Sequence, residues 1–355
     1  MLGFGAWAIG GAGWGASDAG DEAERLAAIQ LAHERGITIF DTAPTYGNGA
    51  SERLLGRALK AHRDQVVIAT KVGPRDEPRR SLEDSLRRLD SEYVDLVQLH
   101  ETLDRWEWQL ERLYTLREEG KARAVGLCNA THLQLARALE IAPVASYQAA
   151  YNLFDRDVEE RELPLVRSRG LAFLAYRPLA AGLLTGKHAS PPEFPPGDHR
   201  AGIYWFKGRE FERRRAVIER LRPLARQAGV SLSGLALRWL LARDGVTVVL
   251  AGARNRRQLE ENLAGASQLA RDLVETIDGI TRAVFRLPRS TARAAQQARA
   301  WGTRERFIVE RLDGSHTPES IAAEWTDRGE QPMVAAQVKV FVDGMVEHGL
   351  VDAES

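Results

Sequence analysis

Short apolar runs alternate with helix-patterned segments eight times between residues 2 and 267, and few folds satisfy that pattern. The runs are LGFGAW (2–7), ITIFDTA (37–43), QVVIATKVG (65–73), YVDLVQLHE (93–101), AVGLCNA (124–130), ASYQAAYNL (145–153), LAFLAYRPLAAG (171–182) and VTVVLAGAR (246–254). They are apolar throughout rather than alternating, as parallel strands covered on both faces are. Between them, apolar residues recur at spacings of three and four. DEAERLAAIQLAHERG (21–36) stops on Gly36, and ASERLLGRALKAH (50–62) has Ser51 as its expected N-cap. A Pro/Gly-rich loop runs to about residue 208, two helical stretches follow at 210–228 and 231–243, and NRRQLEENLAGAS (255–267) closes the series. Eight such units predict an α/β chain folded as a (β/α)8 barrel. An open doubly wound sheet is the alternative, but GFGAWAIGG lacks the G-x-G-x-x-G fingerprint expected after its first strand.

In a barrel, reactive side chains come from the C-terminal ends of strands and the loops beyond them. Three consecutive runs end in ionisable residues: Asp41, Lys71 and His100, with Tyr46 in the glycine-rich loop after Asp41. Singly, each has a bland explanation as a turn former or solvated flank. Jointly, adjacent strands deliver them to one rim. A phenol ionises near pH ~10 and is a weak acid. Lys71 is expected to lower the Tyr46 pKa, and Asp41 to hold Lys71 charged and oriented. Tyr46 then serves as general acid toward a carbonyl oxygen that His100 orients by a hydrogen bond. The set suits reduction of C=O by an external hydride donor. At the far end, Arg254, Arg256 and Arg257 follow a strand and open a helix, a good phosphate receptor that favours NADPH over NADH.

The chain resembles the aldo-keto reductases over roughly residues 2 to 285. FDTAPTYGNGASERLLG, ATKVG and VDLVQLH are similar to that family's Asp, Tyr, Lys and His segments. The resemblance implies catalytic roles for Asp41, Tyr46, Lys71 and His100. GLCNA resembles its Ser-Asn strand end, with Cys128 in place of Ser and Asn129 retained. Gln148 matches in YQAAYNL, and Tyr176 in AYRPLAAGLLTGK is the residue implied to stack on the nicotinamide. The implied cofactor set continues with Arg177, Leu179, Gly182 and Gly252. Arg254 is assigned to the 2′-phosphate, and Gln258, Glu261 and Asn262 to the adenine. The cofactor expected is NADPH/NADP, with no metal. Two departures accompany the match: the sequence opens on the first strand without the family's usual N-terminal hairpin, and Arg177 stands where Ser is common.

Residues 1–285 are therefore expected to form the barrel, followed by a basic linker or helix (286–302) and a small, mainly helical, winged-helix-like module (303–355). The linker carries four arginines and no acid; residues 303–355 carry eleven acids against five Lys/Arg. Thr317-Pro318 reads as an N-cap and N1 pair and Gly349 as a helix stop. That acidic balance argues against direct DNA binding, and a docking partner or self-association is expected of the module instead. The formal net charge of zero implies neither nucleic acid nor a membrane surface. The single cysteine, Cys128, fits a reducing cytoplasmic compartment. Aromatics after the strands, namely Trp7, Trp14, the WEW at 106–108, and Tyr204, Trp205 and Phe206, are expected to wall a cleft for a keto-sugar or natural-product carbonyl. Two other functions remain compatible with the sequence: a non-reducing elimination or isomerisation enzyme using Tyr46 and Lys71, and a cofactor-sensing regulator.

Overall fold

Every apolar run contains a strand. The computed structural model describes residues 1–11, 13, 22–265, 269–282, 308, 317–327, 335, 338–339 and 342. The strands are β1 (Leu2–Gly5), β2 (Ile39–Asp41), β3 (Val67–Val72), β4 (Val94–Leu99), β5 (Ala122–Cys128), β6 (Ser146–Ala150), β7 (Ala172–Tyr176) and β8 (Val248–Ala251). They pair in parallel, in sequence order, and β8 returns to β1 to close a barrel. The described helices of this unit are α1 (Glu22–Glu34), α2 (Ala50–Leu59), α3 (Pro78–Leu89), α4 (Trp106–Glu118), α5 (His132–Ile141), α6 (Glu162–Ser168), α7 (Gly208–Gln227), α8 (Leu232–Leu241), α9 (Arg256–Ala264) and α10 (Arg271–Arg282). The expected (β/α)8 architecture is the one observed.

Ala69, Leu96, Leu174, Val248 and Leu250 fill the inner core, with Ile39, Ala124, Ala172 and Tyr176 packed against them. Side chains of one face recur every second residue. The inner row therefore continues upward into Asp41, Lys71, Gln98, Cys128 and Gln148. Lys71 lies in register with Gln98, and Cys128 with Gln148. A hydrophobic floor thus supports a polar rim.

Two elements differ from expectation. Ser51 is not an N-cap: α2 starts at Ala50 behind a left-handed Gly49 with no side-chain cap. The Ser51 hydroxyl is buried instead, donating to Ala6 O at 2.8 Å and lying 2.8 Å from the Thr42 hydroxyl. The sequence reading also missed α10, which docks through the fully buried Ile277 and through charge. Asp278 of α10 accepts from Arg156 (2.9 Å), Arg243 (2.9 Å) and the Trp239 indole (2.9 Å).

The chain divides into two compact units: Met1–Ala130 with Gln134–Val284, and Thr131–Leu133 with Phe285–Ser355. In the second, helix Pro318–Asp327 opens on the expected cap: Thr317 Oγ1 accepts from Ser320 N at 3.3 Å. The remaining helices expected there, and the stop at Gly349, lie largely outside the described residues. No described helix is long and apolar enough to cross a membrane.

Candidate active site

The polar rim brings Asp41, Lys71 and His100 together with Tyr46 from the loop after β2. Lys71 is fully buried, and its ammonium donates to Asp41 Oδ1 at 2.6 Å and Thr42 O at 2.8 Å. The same ammonium lies 4.9 Å from the Tyr46 ring centroid. The rings of Tyr46 and His100 meet edge-on, 6.0 Å apart at 79°. The other oxygen of Asp41 accepts from Gln148 (2.7 Å) and Gln98 (3.3 Å). With both oxygens engaged, the carboxylate holds Lys71 in one place.

Burial dominates the electrostatics. Tyr46 keeps part of its surface toward the cleft, yet desolvation pushes its phenol up to about 12 against the opposing pull of Lys71. The expected lowering is thus present as a contribution but is outweighed. For Lys71, burial acts to lower the pKa, but Asp41, Tyr46 and Cys128 together raise the ammonium above its ordinary range. Burial, and next Lys71, push His100 down to about 3, so at neutral pH it is an uncharged imidazole. Burial raises the Cys128 thiol well above its ordinary range and keeps it uncharged.

Tyr46 is placed by backbone contact. Its loop packs on the loop after β1 so closely that a Cβ on Gly47, at φ +60°, would lie 1.9 Å from Gly10 O. Only glycine fits both that approach and that dihedral. From the β1 loop, Trp7 stacks on Tyr46, with centroids 5.9 Å apart at 25°.

The residues implied to hold a dinucleotide are wired around the rest of the rim. Asn129, left-handed at φ +57°, donates to His100 O at 3.0 Å and accepts from the Tyr176 hydroxyl at 2.9 Å. The Tyr176 ring is thereby fixed beside the proton-transfer set. After it the chain passes through four positive φ values, at Arg177, Ala180, Ala181 and Gly182. Leu179 O closes that turn by accepting from Gly182 N (2.9 Å) and Leu184 N (3.2 Å). The space where a Gly182 side chain would stand is open. In the loop after β8, Gln258 accepts from Arg254 N at 2.9 Å and Asn262 donates to Gly252 O at 3.1 Å. Glu261 is exposed and pairs with Arg257 at 3.8 Å. Lys187 is pulled down first by burial and then by the positive fields of Arg200, Arg254 and Arg257. The fields of cations that follow two different strands therefore reach Lys187, as an anionic phosphate requires.

The aldo/keto reductase family model matches residues 1–282. The chain belongs to the aldo/keto reductase family. It is 37% identical over 276 residues to aldo-keto reductase YhdN of Bacillus subtilis, covering 73% of this chain and 82% of that protein. It is 32% identical over 300 residues to the NADH-specific methylglyoxal reductase of Escherichia coli, covering 74% and 88%. Among solved structures, a glycerol dehydrogenase from Gluconobacter oxydans superposes with a TM-score of 0.70 at 33% identity, covering 80% of this chain and 92% of that one. An aldo/keto reductase from Klebsiella pneumoniae in complex with NADP and acetate gives 0.63 at 26% identity, covering 79% and 90%.

Within this aldo/keto reductase, the aromatics expected in the cleft separate. Trp7 lies on Tyr46; Trp14 lies outside the described residues. Tyr204 and Trp205 pack on each other at 5.2 Å and beside Arg214 of α7, rather than joining Trp7. Phe206 is buried inside its loop, 4.9 Å from Phe194. Trp108 is held between Arg105 and Arg112 on α4. Sequence reasoning missed two site residues. Gln98 clasps Asp41, and its signal was an amide two residues before His100 in an apolar strand. Lys187 joins the cation cluster, with no local signal beyond its charge.

Proposed function

We propose that this aldo/keto reductase reduces an aldehyde or ketone with NADPH, using Tyr46 as the general acid. The observation that carries the reading is the joint placement of Asp41, Tyr46, Lys71 and His100 at the C-terminal rim. The donor set fits a dinucleotide. The Tyr176 ring takes the nicotinamide, the turn at 179–182 and Lys187 take the phosphates, and Arg254 takes a 2′-phosphate. When bound, the nicotinamide supplies the hydride.

The chain's own residues manage the proton. His100, uncharged, donates a hydrogen bond to the carbonyl oxygen and orients it beside the phenol. A phenol held at about 12 is fully protonated at neutral pH, as a reductive acid must be. An alkoxide is a stronger base than a phenolate, so the Tyr46 proton moves to it downhill. The Lys71 ammonium stabilises the phenolate left behind, and Asp41, clasped by Gln98 and Gln148, keeps that ammonium aimed at Tyr46. Tyr46→Phe is expected to lower kcat about 10²- to 10⁴-fold, the usual worth of a positioned acid, with NADPH binding retained. Turnover undiminished in that variant removes the assigned acid.

The preference for NADPH over NADH rests on the cation cluster. The relatives are divided by name, one being NADH-specific and one solved with NADP. Fluorescence titration with each nucleotide tests it. Arg254→Ala is expected to raise the NADPH Kd about 10-fold, a charge-assisted contact being worth roughly 1.5 kcal/mol or more, and to leave NADH nearly unchanged. For residues 303–355, acidic and compositionally separate, we propose docking of a protein or peptide partner or self-association, within the cytoplasm. Deleting them with no change in oligomeric state or partner binding speaks against that role.

A further inference from the structure

We propose that Arg177 is an anion receptor of the substrate pocket, so that the carbonyl compounds this protein prefers carry a carboxylate. This rests on the proposed carbonyl-reductase reading and names its substrate class. Arg177 follows the end of β7 at φ +52°, a conformation that non-glycine residues adopt at a cost and that recurs at functional sites. It is held there through its carbonyl, which accepts from Asn152 Nδ2 at 3.1 Å and Ala180 N at 2.9 Å. The guanidinium carbon lies 5.4 Å from the Trp7 ring centroid and 5.7 Å from that of Tyr176. Trp7 is the ring that stacks on Tyr46, so the charge stands one aromatic ring from the proton donor.

That charge meets aromatic faces but no anion within the described protein. Among the described residues no carboxylate pairs with Arg177, and its Nε is buried without a hydrogen-bond acceptor. The nearby carboxylate of Asp198 is committed to Arg200, taking its Nε at 3.0 Å and a terminal nitrogen at 2.6 Å. His199, next in the chain, is tilted against Trp7 at 4.4 Å and tied through Nδ1 to Gly13 O at 2.6 Å. A half-buried guanidinium bracketed by two rings is desolvated enough to prefer an anion, and its planar fork matches a carboxylate with two parallel hydrogen bonds. A cofactor phosphate shares that chemistry. The cations that act on Lys187 are Arg200, Arg254 and Arg257, and Arg177 is not among them; it sits over the rings nearest the acid.

The test compares kcat/KM for 4-carboxybenzaldehyde and 4-methylbenzaldehyde with NADPH, in the full-length protein and in Arg177→Gln and Arg177→Lys, alongside the NADPH Kd of each. The wild type is expected to favour the carboxylated aldehyde. Arg177→Gln should lower that selectivity ratio about 10- to 100-fold, the worth of one charge-assisted pair, with Arg177→Lys between. An unchanged ratio overturns the inference. So does an equal loss on both aldehydes with a raised NADPH Kd, which assigns the guanidinium to the cofactor. If the wild type reduces neither aldehyde, the carbonyl-reductase reading fails by itself. Tryptophan-fluorescence titration with benzoate and benzamide then decides. Benzoate-selective binding that Arg177→Gln abolishes upholds the receptor, and equal binding of the two refutes it.

Discussion

His100 at the residue scale shows how strongly the site departs from solution chemistry. Its imidazole is pushed down to about 3 by burial and by Lys71. A neutral imidazole donates one hydrogen bond without adding a second cation beside Lys71. The same shift is a statement about folding. The unfolded chain takes up a proton near pH 6.5, whereas the folded chain resists until about 3. Stability is therefore complete above 6.5 and is lost as pH falls toward 3, at up to about 1.4 kcal/mol per pH unit. Urea unfolding should show about 2 kcal/mol lost between pH 6.5 and 5 through this residue. His100→Asn should flatten that part of the profile, and an equally steep variant would place the dependence elsewhere.

Elements carry the next constraint, because Tyr46 is only as well placed as its loop. The contact between Gly47 and Gly10 O leaves no room for a methyl group, and φ is +60°. Gly47→Ala must push the β1 and β2 loops apart. It is expected to cost roughly 1–3 kcal/mol of stability, as overpacking and backbone strain do. The kcat should fall further than a stability loss explains, since the phenol moves with the loop. Thermal melts and steady-state kinetics on the same sample separate the two effects. Asp41, Lys71 and His100 were legible because they end apolar strands, where the period of two and the barrel topology fix their direction. Gln98 obeys the same parity but was masked by the apolar run around it. Ser51 has the composition of a cap, and its hydroxyl is turned inward to Ala6 O in the loop after β1 and to Thr42. α10 does carry a helical pattern, with Leu273, Val274, Ile277 and Ile280 spaced by three and four, but its anchors, Arg156, Trp239 and Arg243, are far away in sequence. Where Tyr204 and Trp205 pack was not legible for a similar reason: both lie beside Arg214 of α7, a helix outside their own loop.

For the whole molecule, attraction of a phosphorylated nucleotide cannot come from overall charge, since 49 Lys and Arg balance 49 Asp and Glu. It must come from where the cations are put. Burial, and then the positive fields of Arg200 from the loop after β7, Arg254 from the loop after β8 and Arg257 from α9, depress the Lys187 ammonium. A local cluster on a neutral molecule acts over about a Debye length, roughly 10 Å at 0.1 M salt and 3 Å at 1 M. The extra charge of the 2′-phosphate feels that field; an unphosphorylated ribose does not. The ratio of NADH to NADPH Kd is therefore expected to shrink several-fold as salt rises from 0.05 to about 0.5 M, chiefly through weaker NADPH binding. Lys187→Ala should reproduce part of that loss at low salt and leave less for added salt to remove. A ratio indifferent to salt in the wild type would mean that the cluster does not read the 2′-phosphate. Discrimination between the nucleotides would then have to reside in the uncharged contacts of Gln258 and Asn262.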